Sequence, residues 1–311
     1  MFLSIPIFLL PYPCGYFQGS LAGEGKDEGL KMSSIKNILT RIEQSLQPIS
    51  GPCSLYEAET ILQHVLRCSR SELYTTLPSS EMSDEKRSTI DGILQRRLAD
   101  EPLAYILGSV YFYSKNILLT KDVLIPRPET EVLVETVLKQ EHTGPVEFAD
   151  ICTGSGAIAA VLLAERPAWN AVASDISRAA LSVARRNAPQ RARFLCCDML
   201  AAFKIKTLTL DFLVCNPPYI SKEEMAGLDK SVLLFEPYAA LYGGTDGMDF
   251  YRVMASDARK ILKPGGRIYC EIGCDQGEAV CGIFSSEKWD AVSIKNDLAG
   301  RSRVFKATLD S

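Results

Sequence analysis

The sequence predicts an α/β protein: a doubly wound, mostly parallel sheet of seven strands, preceded by a small helical bundle and a connecting hairpin. Three observations predict it. Apolar residues recur at helical spacing as far as about residue 108. β-Branched and aromatic runs follow at 110–125, and from residue 145 short apolar runs alternate with helix-length segments. The 311 residues, 47% hydrophobic and 23% charged, have the composition of a globular chain. That length suffices for about two domains.

Taken in order, residues 1–31 carry no periodicity. Residues 2–10 are apolar but well short of the ~20 residues that span a bilayer. No Lys or Arg precedes them, and Pro6, Pro11 and Pro13 would interrupt a helix. The segment reads as a non-native or disordered N-terminal extension, with a start at Met32 preferred over a degenerate targeting sequence. Ile35, Ile38, Leu39, Ile42 and Leu46 then line one helix face, predicted to stop before Pro48. Ser54-x-x-Glu57 reads as a capping box opening a second helix, with Leu55, Ala58, Ile61, Leu62 and Val65 inward. Ile90, Ile93, Leu94 and Leu98 form a third stripe that ends near Pro102. These helices make a domain over 32–108. A hairpin broken at Ser114-Lys115-Asn116 occupies a linker over 109–128, and the second domain spans 129–311. Strands are expected at 146–151, 170–175, 191–196, 211–215, 266–272, 289–294 and 303–308.

Lys and Arg number 34 against 38 Asp and Glu, a net charge of −4. This argues against a protein whose affinity comes from neutralising many nucleic-acid phosphates, which usually needs a basic face. Ten cysteines without a C-x-x-C pair and only two histidines, His64 and His142, suggest neither a disulfide framework nor a metal site. Reduced, mostly buried thiols of a cytoplasmic protein are the expectation.

The candidate sites lie at the ends of the predicted strands, where ligands of doubly wound sheets bind. Asp150-Ile151-Cys152-Thr153-Gly154-Ser155-Gly156 follows the first strand and opens a helix over 157–166. Its glycines permit close backbone approach, and a helix N-terminus offers free N–H groups. Asp175 ends the second strand, where an acid can accept both hydroxyls of a ribose. Asp198-Met199 follows the third, placed for the exocyclic amine of an adenine. A solvated strand end or an N-cap is the ordinary reading of either acid alone, and it fits poorly to three such sites at successive strand ends. No Lys-Ser/Thr follows the glycines, and G-x-G-x-x-G is incomplete, so neither a triphosphate nor a dinucleotide is favoured. An adenosine ligand without phosphates, S-adenosylmethionine, fits better, with Asp150 facing its ammonium group.

Asn216-Pro217-Pro218-Tyr219 follows the fourth strand. Successive prolines fix φ and remove two donors, leaving rigid carbonyls free to accept. The Asn216 oxygen and the Pro217 carbonyl can both accept from one planar –NH2 group, with Tyr219 stacked on its plane. An amide nitrogen is a poor nucleophile because its lone pair is delocalised. Acceptors that favour its pyramidal form therefore stabilise the transition state more than the ground state.

Together with Glu101-Pro102-Leu103-Ala104-Tyr105-Ile106-Leu107-Gly108, Ile125-Pro126-Arg127-Pro128-Glu129-Thr130-Glu131, Glu236-Pro237, Gly243-Gly244-Thr245-Asp246-Gly247, Lys263-Pro264-Gly265-Gly266, Glu271-Ile272-Gly273 and Asp297-Leu298-Ala299-Gly300-Arg301, this motif resembles the PrmC/HemK family. These are peptide chain release factor glutamine N5-methyltransferases. The resemblance runs from Met32 to the C-terminus. It implies a helical substrate-recognition domain, a hairpin and a Rossmann-like seven-stranded methyltransferase sheet. The implied substrate is the glutamine of the Gly-Gly-Gln motif of class 1 release factors. On the matching positions, Asp150, Cys152, Thr153, Gly154, Ser155, Gly156, Asp175, Asp198 and Met199 would hold S-adenosylmethionine. Asn216, Pro217, Pro218 and Tyr219 would hold the glutamine, Asn216 belonging to both sets, and Phe112 would close over the site. Asn216, Pro217 and Tyr219 would carry catalysis. Cys152 departs from the family, where Gly is common. Pro128 with Glu129 and Glu131 in the first turn also satisfies a purely structural reading. The implied partner is the release factor, with no direct nucleic-acid or membrane contact and a monomeric state. The rivals are a DNA adenine N6-methyltransferase, which would need a basic target-recognition surface and base flipping, and a non-catalytic adenosine-binding scaffold, which would not need Asn216 to Tyr219 together.

Overall fold

The computed structural model describes residues 34–204 and 209–309. The expectation for residues 1–31 and the proposed start at Met32 lie outside them. The chain divides into two compact units, meeting in sequence at Leu107 and Gly108.

The first unit is helical. Helix α1 (Ile35–Ser50) is opened by Ser34, whose hydroxyl accepts from Asn37 N, and it buries the predicted stripe. It runs through Pro48 instead of stopping before it. A proline in the last turn forfeits one bond, while Gly51 N still closes the end on the Gln47 carbonyl. Helix α2 (Ser54–Leu66) lacks the predicted capping box. A single 3₁₀ turn, Gly51–Cys53, leads straight into it, so Ser54 is already helical. The Ser54 hydroxyl donates to Gln47 Oε1 (2.6 Å), and Glu57 accepts a forked pair from Arg97 (2.9 and 3.1 Å). A capping box does open α3 (Arg70–Thr75), from Ser69 and Glu72. Helix α4 (Asp84–Leu98) buries Ile90, Ile93 and Leu94, and α5 (Leu103–Leu107) ends the unit. Leu55 and Leu98, expected inside, are exposed.

The second unit opens with the hairpin β1 (Ser109–Phe112) and β2 (Lys115–Leu118). Its turn is Tyr113-Ser114, with φ of 47° and 61°, and not the predicted Ser114-Lys115-Asn116. Lys115 and Asn116 pair with Phe112 and Tyr111, so the ladder runs further than the turn-forming residue types suggested. After α6 (Thr130–Gln140) come β3 (Val146–Ile151), α7 (Ala157–Glu165), β4 (Trp169–Asp175), α8 (Arg178–Asn187), β5 (Ala192–Cys196) and β6 (Leu210–Cys215). Then follow α9 (Lys222–Met225), α10 (Lys230–Phe235), α11 (Asp249–Asp257), β7 (Leu262–Glu271), α12 (Gly277–Ser286), β8 (Asp290–Asn296) and β9 (Ser302–Thr308). Every predicted strand of the sheet is present within a few residues.

The seven strands lie in the order β5-β4-β3-β6-β7-β9-β8, and only β9 runs antiparallel to its neighbours. Strand β7 begins earlier than predicted because Lys263-Pro264-Gly265-Gly266 forms an irregularity inside it: Leu262 pairs with Leu210, and pairing resumes at Arg267 with Phe212. Phe148 stacks on Phe212 with centroids 4.9 Å apart, and Trp169 and Tyr269 meet Phe212 edge-on. These rings tie β3, β4, β6 and β7 together on one face. The strand order reverses between β3 and β6, which opens the crevice at their carboxyl ends.

Candidate active site

Two loops leave this switch point side by side. Ile151 at the end of β3 is in register with Cys215 at the end of β6, and Cys215 with Cys270 on β7. All the predicted site residues except Asp175, Asp198, Met199 and Phe112 lie on β3, β6 or the loops that follow them.

The loop after β3 turns on three left-handed residues, Cys152, Gly154 and Gly156, with φ of 57°, 54° and 78°. Cys152 thus occupies a conformation that glycine adopts without strain, which is the physical meaning of its departure from the family pattern. At Gly156 a Cβ would stand 2.9 Å from that of Ala184, so this glycine lets α7 pack on α8. At Gly154 a Cβ would meet nothing nearer than the Cys152 carbonyl at 4.0 Å, so that side of the loop is open for a ligand. Asn187 at the end of α8 donates to the Ser155 carbonyl (2.8 Å) and to the Leu118 carbonyl of β2 (2.9 Å), and accepts from Leu118 N (2.8 Å). One side chain therefore ties the hairpin to the loop.

Asp150 is fully buried. Its Oδ2 accepts from the Thr153 hydroxyl (2.6 Å) and Ala159 N (3.2 Å), while Oδ1 has no partner among the described residues. Burial pushes its pKa up to about 7 against these hydrogen bonds. A buried, unpaired carboxylate oxygen is what the ammonium group of S-adenosylmethionine would satisfy, so the loop fits that cofactor. Asp175 accepts from Gly154 N (2.9 Å) and Ser177 N (2.8 Å), one on each oxygen, and burial raises its pKa. It braces the loop and keeps a further lone pair on each oxygen for ribose hydroxyls. Asp198 is exposed just past β5. Met199 is buried, and its Sδ lies 3.6 Å from Cys152 Sγ, which joins the third strand end to the first.

In the loop after β6, Pro217 and Pro218 are buried and Asn216 is partly exposed. Asn216 Nδ2 donates to the Thr130 hydroxyl at the start of α6 (3.1 Å), and its Oδ1 takes no protein donor among the described residues. The Tyr219 hydroxyl donates to Glu271 Oε1 at the end of β7 (3.4 Å). Gln276 Nε2 donates to the Tyr219 carbonyl (2.7 Å) while its Oε1 accepts from Gly273 N (3.0 Å). Behind this loop, a Cβ at Gly243 would lie 2.7 Å from the Pro218 carbonyl oxygen, and one at Gly247 would lie 2.4 Å from that of Tyr219. Gly243 and Gly247 are there because the backbone approaches too closely for side chains.

Phe112 ends β1 and is buried. The next residue, Tyr113, donates its N–H to Glu131 Oε1 (2.8 Å), and Arg127 pairs with the buried Glu236. Residues 127–131 therefore fasten the hairpin, the Glu236 segment and, through Thr130, Asn216. Sequence reasoning assigned no role to Thr130, Glu271, Gln276 or Asn187. Two of them lay inside motifs quoted for the resemblance, and that is the signal that could have found them. Among the described residues no group of His, Cys, Asp or Glu could hold a metal ion, and no helix is long and apolar enough to cross a membrane.

The sheet and the two loops at its switch point define an S-adenosylmethionine-dependent methyltransferase. The catalytic domain of hMettl16, solved in complex with MAT2A 3'UTR hairpin 6, shares the fold with a TM-score of 0.51 at 16% identity, over 73% of this chain and 82% of that one. Residues 37–108 match the PrmC N-terminal domain, and residues 128–233 match the methyltransferase small domain. The release factor glutamine methyltransferase of Thermodesulfovibrio yellowstonii is 38% identical over 260 residues, 81% of this chain and 91% of that protein. That of Coxiella burnetii is 37% identical over 279 residues, 89% and 99% of the two chains. The chain belongs to the release factor glutamine methyltransferase family.

Proposed function

We propose that the protein transfers a methyl group from S-adenosylmethionine to the side-chain amide nitrogen, N5, of the glutamine in the Gly-Gly-Gln motif of class 1 peptide chain release factors. Family membership supports the substrate. The observation that carries the chemistry is the Asn216 amide, whose Nδ2 is engaged by Thr130 while Oδ1 takes no protein donor among the described residues.

Asp150, Cys152, Thr153, Gly154, Ser155, Gly156, Asp175, Asp198 and Met199 would hold the cofactor, with Asn216 at the boundary shared with substrate. When bound, S-adenosylmethionine supplies an electrophilic methyl group on a positively charged sulfur. Asn216 Oδ1 and the Pro217 carbonyl accept the two hydrogens of the glutamine amide. Pro218 keeps that carbonyl fixed, Tyr219 offers a ring face to the amide plane, and Phe112 closes the hairpin side. Two fixed acceptors favour the pyramidal nitrogen and so act chiefly in the transition state. Asn216 takes no proton before transfer, because an uncharged amide is not a base near neutral pH.

In this reading residues 32–108 recognise the release factor, residues 109–128 link them to the catalytic domain over 129–311, and the enzyme works as a cytoplasmic monomer on a protein. Methyl transfer from labelled cofactor to purified release factor, set against duplex DNA, tests it. Label in the protein supports the proposal; label in DNA adenine contradicts it.

A further inference from the structure

We propose that Gln276 is a positioning residue that holds the loop Asn216–Tyr219 in its working shape through the Tyr219 carbonyl. The inference rests on the reading of that loop as the holder of the substrate amide.

The loop needs a hold from outside itself. Pro217 and Pro218 have no N–H to donate, so the stretch that offers carbonyls to substrate lacks two of the bonds that ordinarily fix a backbone. Just beyond it the chain is fastened. Ile220 N donates to the Leu241 carbonyl (3.0 Å), and the Ile220 carbonyl accepts from Gly243 N (2.9 Å). Between the prolines and this clasp, the Tyr219 carbonyl takes a side-chain donor, Gln276 Nε2 at 2.7 Å.

Which way round the Gln276 amide faces follows from its partners. Its Oε1 accepts from Gly273 N (3.0 Å), and its own backbone N donates to the Gly273 carbonyl (3.0 Å). A reversed amide would set –NH2 against an N–H and oxygen against a carbonyl oxygen, so one orientation satisfies both backbone groups and the other neither. Two glycines form the slot for this side chain. A Cβ at Gly273 would stand 3.0 Å from Gln276 Cδ, and one at Gly247 would stand 2.8 Å from Nε2. The far end of the tie is anchored in the sheet, because Ile272 N, next to Gly273, donates to the Arg303 carbonyl of β9 (2.9 Å). Glu271, the last residue of β7, accepts the Tyr219 hydroxyl (3.4 Å). The segment leaving β7 therefore grips Tyr219 twice, by its ring and by its backbone.

The two loops of the site are braced from opposite sides of the switch point. Asp175 on β4 and Asn187 on α8 hold the cofactor loop, whereas Gln276 reaches the substrate loop from the β7 side. Loss of Gln276 should thus displace the Pro217 carbonyl and the Tyr219 ring while the cofactor loop keeps its own bonds. The cost belongs to the transfer step and not to cofactor binding.

The test is single-turnover methylation of intact release factor by the full chain at saturating S-adenosylmethionine, with cofactor affinity read by calorimetry. Gln276→Met keeps the length of the side chain and loses both bonds. Gln276→Glu keeps the shape and the acceptor for Gly273 N and loses only the donor to Tyr219, so it decides the matter if the Met variant folds poorly. Each should slow transfer by roughly 10- to 100-fold, the scale of a misplacement of about 1 Å, with cofactor affinity unchanged. Combined with Asn216→Ala, Gln276→Glu should add far less than its own separate loss, because both changes act on one loop. A role in stability alone would leave the rate of the folded enzyme unmoved. If Gln276→Glu keeps the wild-type rate, if cofactor affinity falls in step with the rate, or if the two losses multiply while Asn216→Ala is slow, the tie is wrong and the reading of Asn216 stands. An unimpaired Asn216→Ala would overturn that reading, and the role of Gln276 with it.

Discussion

Asn216 and Asp150 carry the two sharpest expectations at the scale of single residues. Asn216→Ala removes the acceptor proposed to contact substrate, so cofactor affinity should hold while turnover falls roughly 100- to 1,000-fold, the cost of one preorganised polar contact. Single-turnover rates and calorimetric titration together check this. Asn216→Asp still accepts hydrogen bonds but places a charge beside the sulfonium, whose own charge is partly lost as the methyl leaves. It should bind cofactor well and turn over slowly. For Asp150 the sign follows from its raised pKa. Its folded value of about 7 stands above the ordinary 3.8, so ionising it costs the cofactor-free fold stability as pH climbs through that window. A bound ammonium group reverses this by favouring the carboxylate. S-adenosylmethionine should therefore release protons on binding and bind more weakly as pH falls below about 7. Calorimetry in buffers of different ionisation enthalpy measures the protons released, and Asp150→Asn should abolish the release.

Among the elements, the loop after β6 is shaped as much by the glycines behind it as by its own prolines. Gly243→Ala would drive a Cβ to 2.7 Å from the Pro218 carbonyl oxygen, against backbone that cannot swing aside. Overpacking of this kind costs about 1–3 kcal/mol. We expect a lowered melting temperature in Gly243→Ala and a turnover loss out of proportion to any loss of cofactor affinity, because the displaced segment is the one proposed to hold substrate. Gly156→Ala, which instead meets Ala184 under the cofactor loop, should weaken cofactor binding. The elements also show what was legible in the sequence. Strands β3, β4, β6 and the second half of β7 stood out because buried strands read as largely apolar runs between turn residues. The helix stripes stood out by their period, except at Leu55 and Leu98, which keep the period yet are exposed. Ser54 and Glu57 had the right spacing for a cap but stood one turn too late, since the 3₁₀ turn had already begun the helix. Asn216 was legible because its chemistry is local to four residues. Its partner Thr130 was not, because 86 residues separate the two and only the sheet topology brings α6 and the β6 loop together.

The molecule as a whole is an acidic chain built of a helical unit and a methyltransferase unit. A Gly-Gly-Gln loop is short, and we propose that much of the binding comes from release-factor surface beyond it, recognised by the helical unit. A free peptide containing the loop should accordingly be methylated far less efficiently than the intact factor; equal specificity constants for the two would give the helical unit another task. We propose that this chain methylates a protein glutamine through an amide held by Asn216. Mass spectrometry of purified class 1 release factor, after incubation with S-adenosylmethionine and either the wild-type enzyme or Asn216→Ala, tests it most directly. One methyl group should be added to the side chain of the Gly-Gly-Gln glutamine with the wild-type enzyme, and far more slowly with the variant. An unmodified glutamine with the wild-type enzyme, or equal rates for the two proteins, would contradict it.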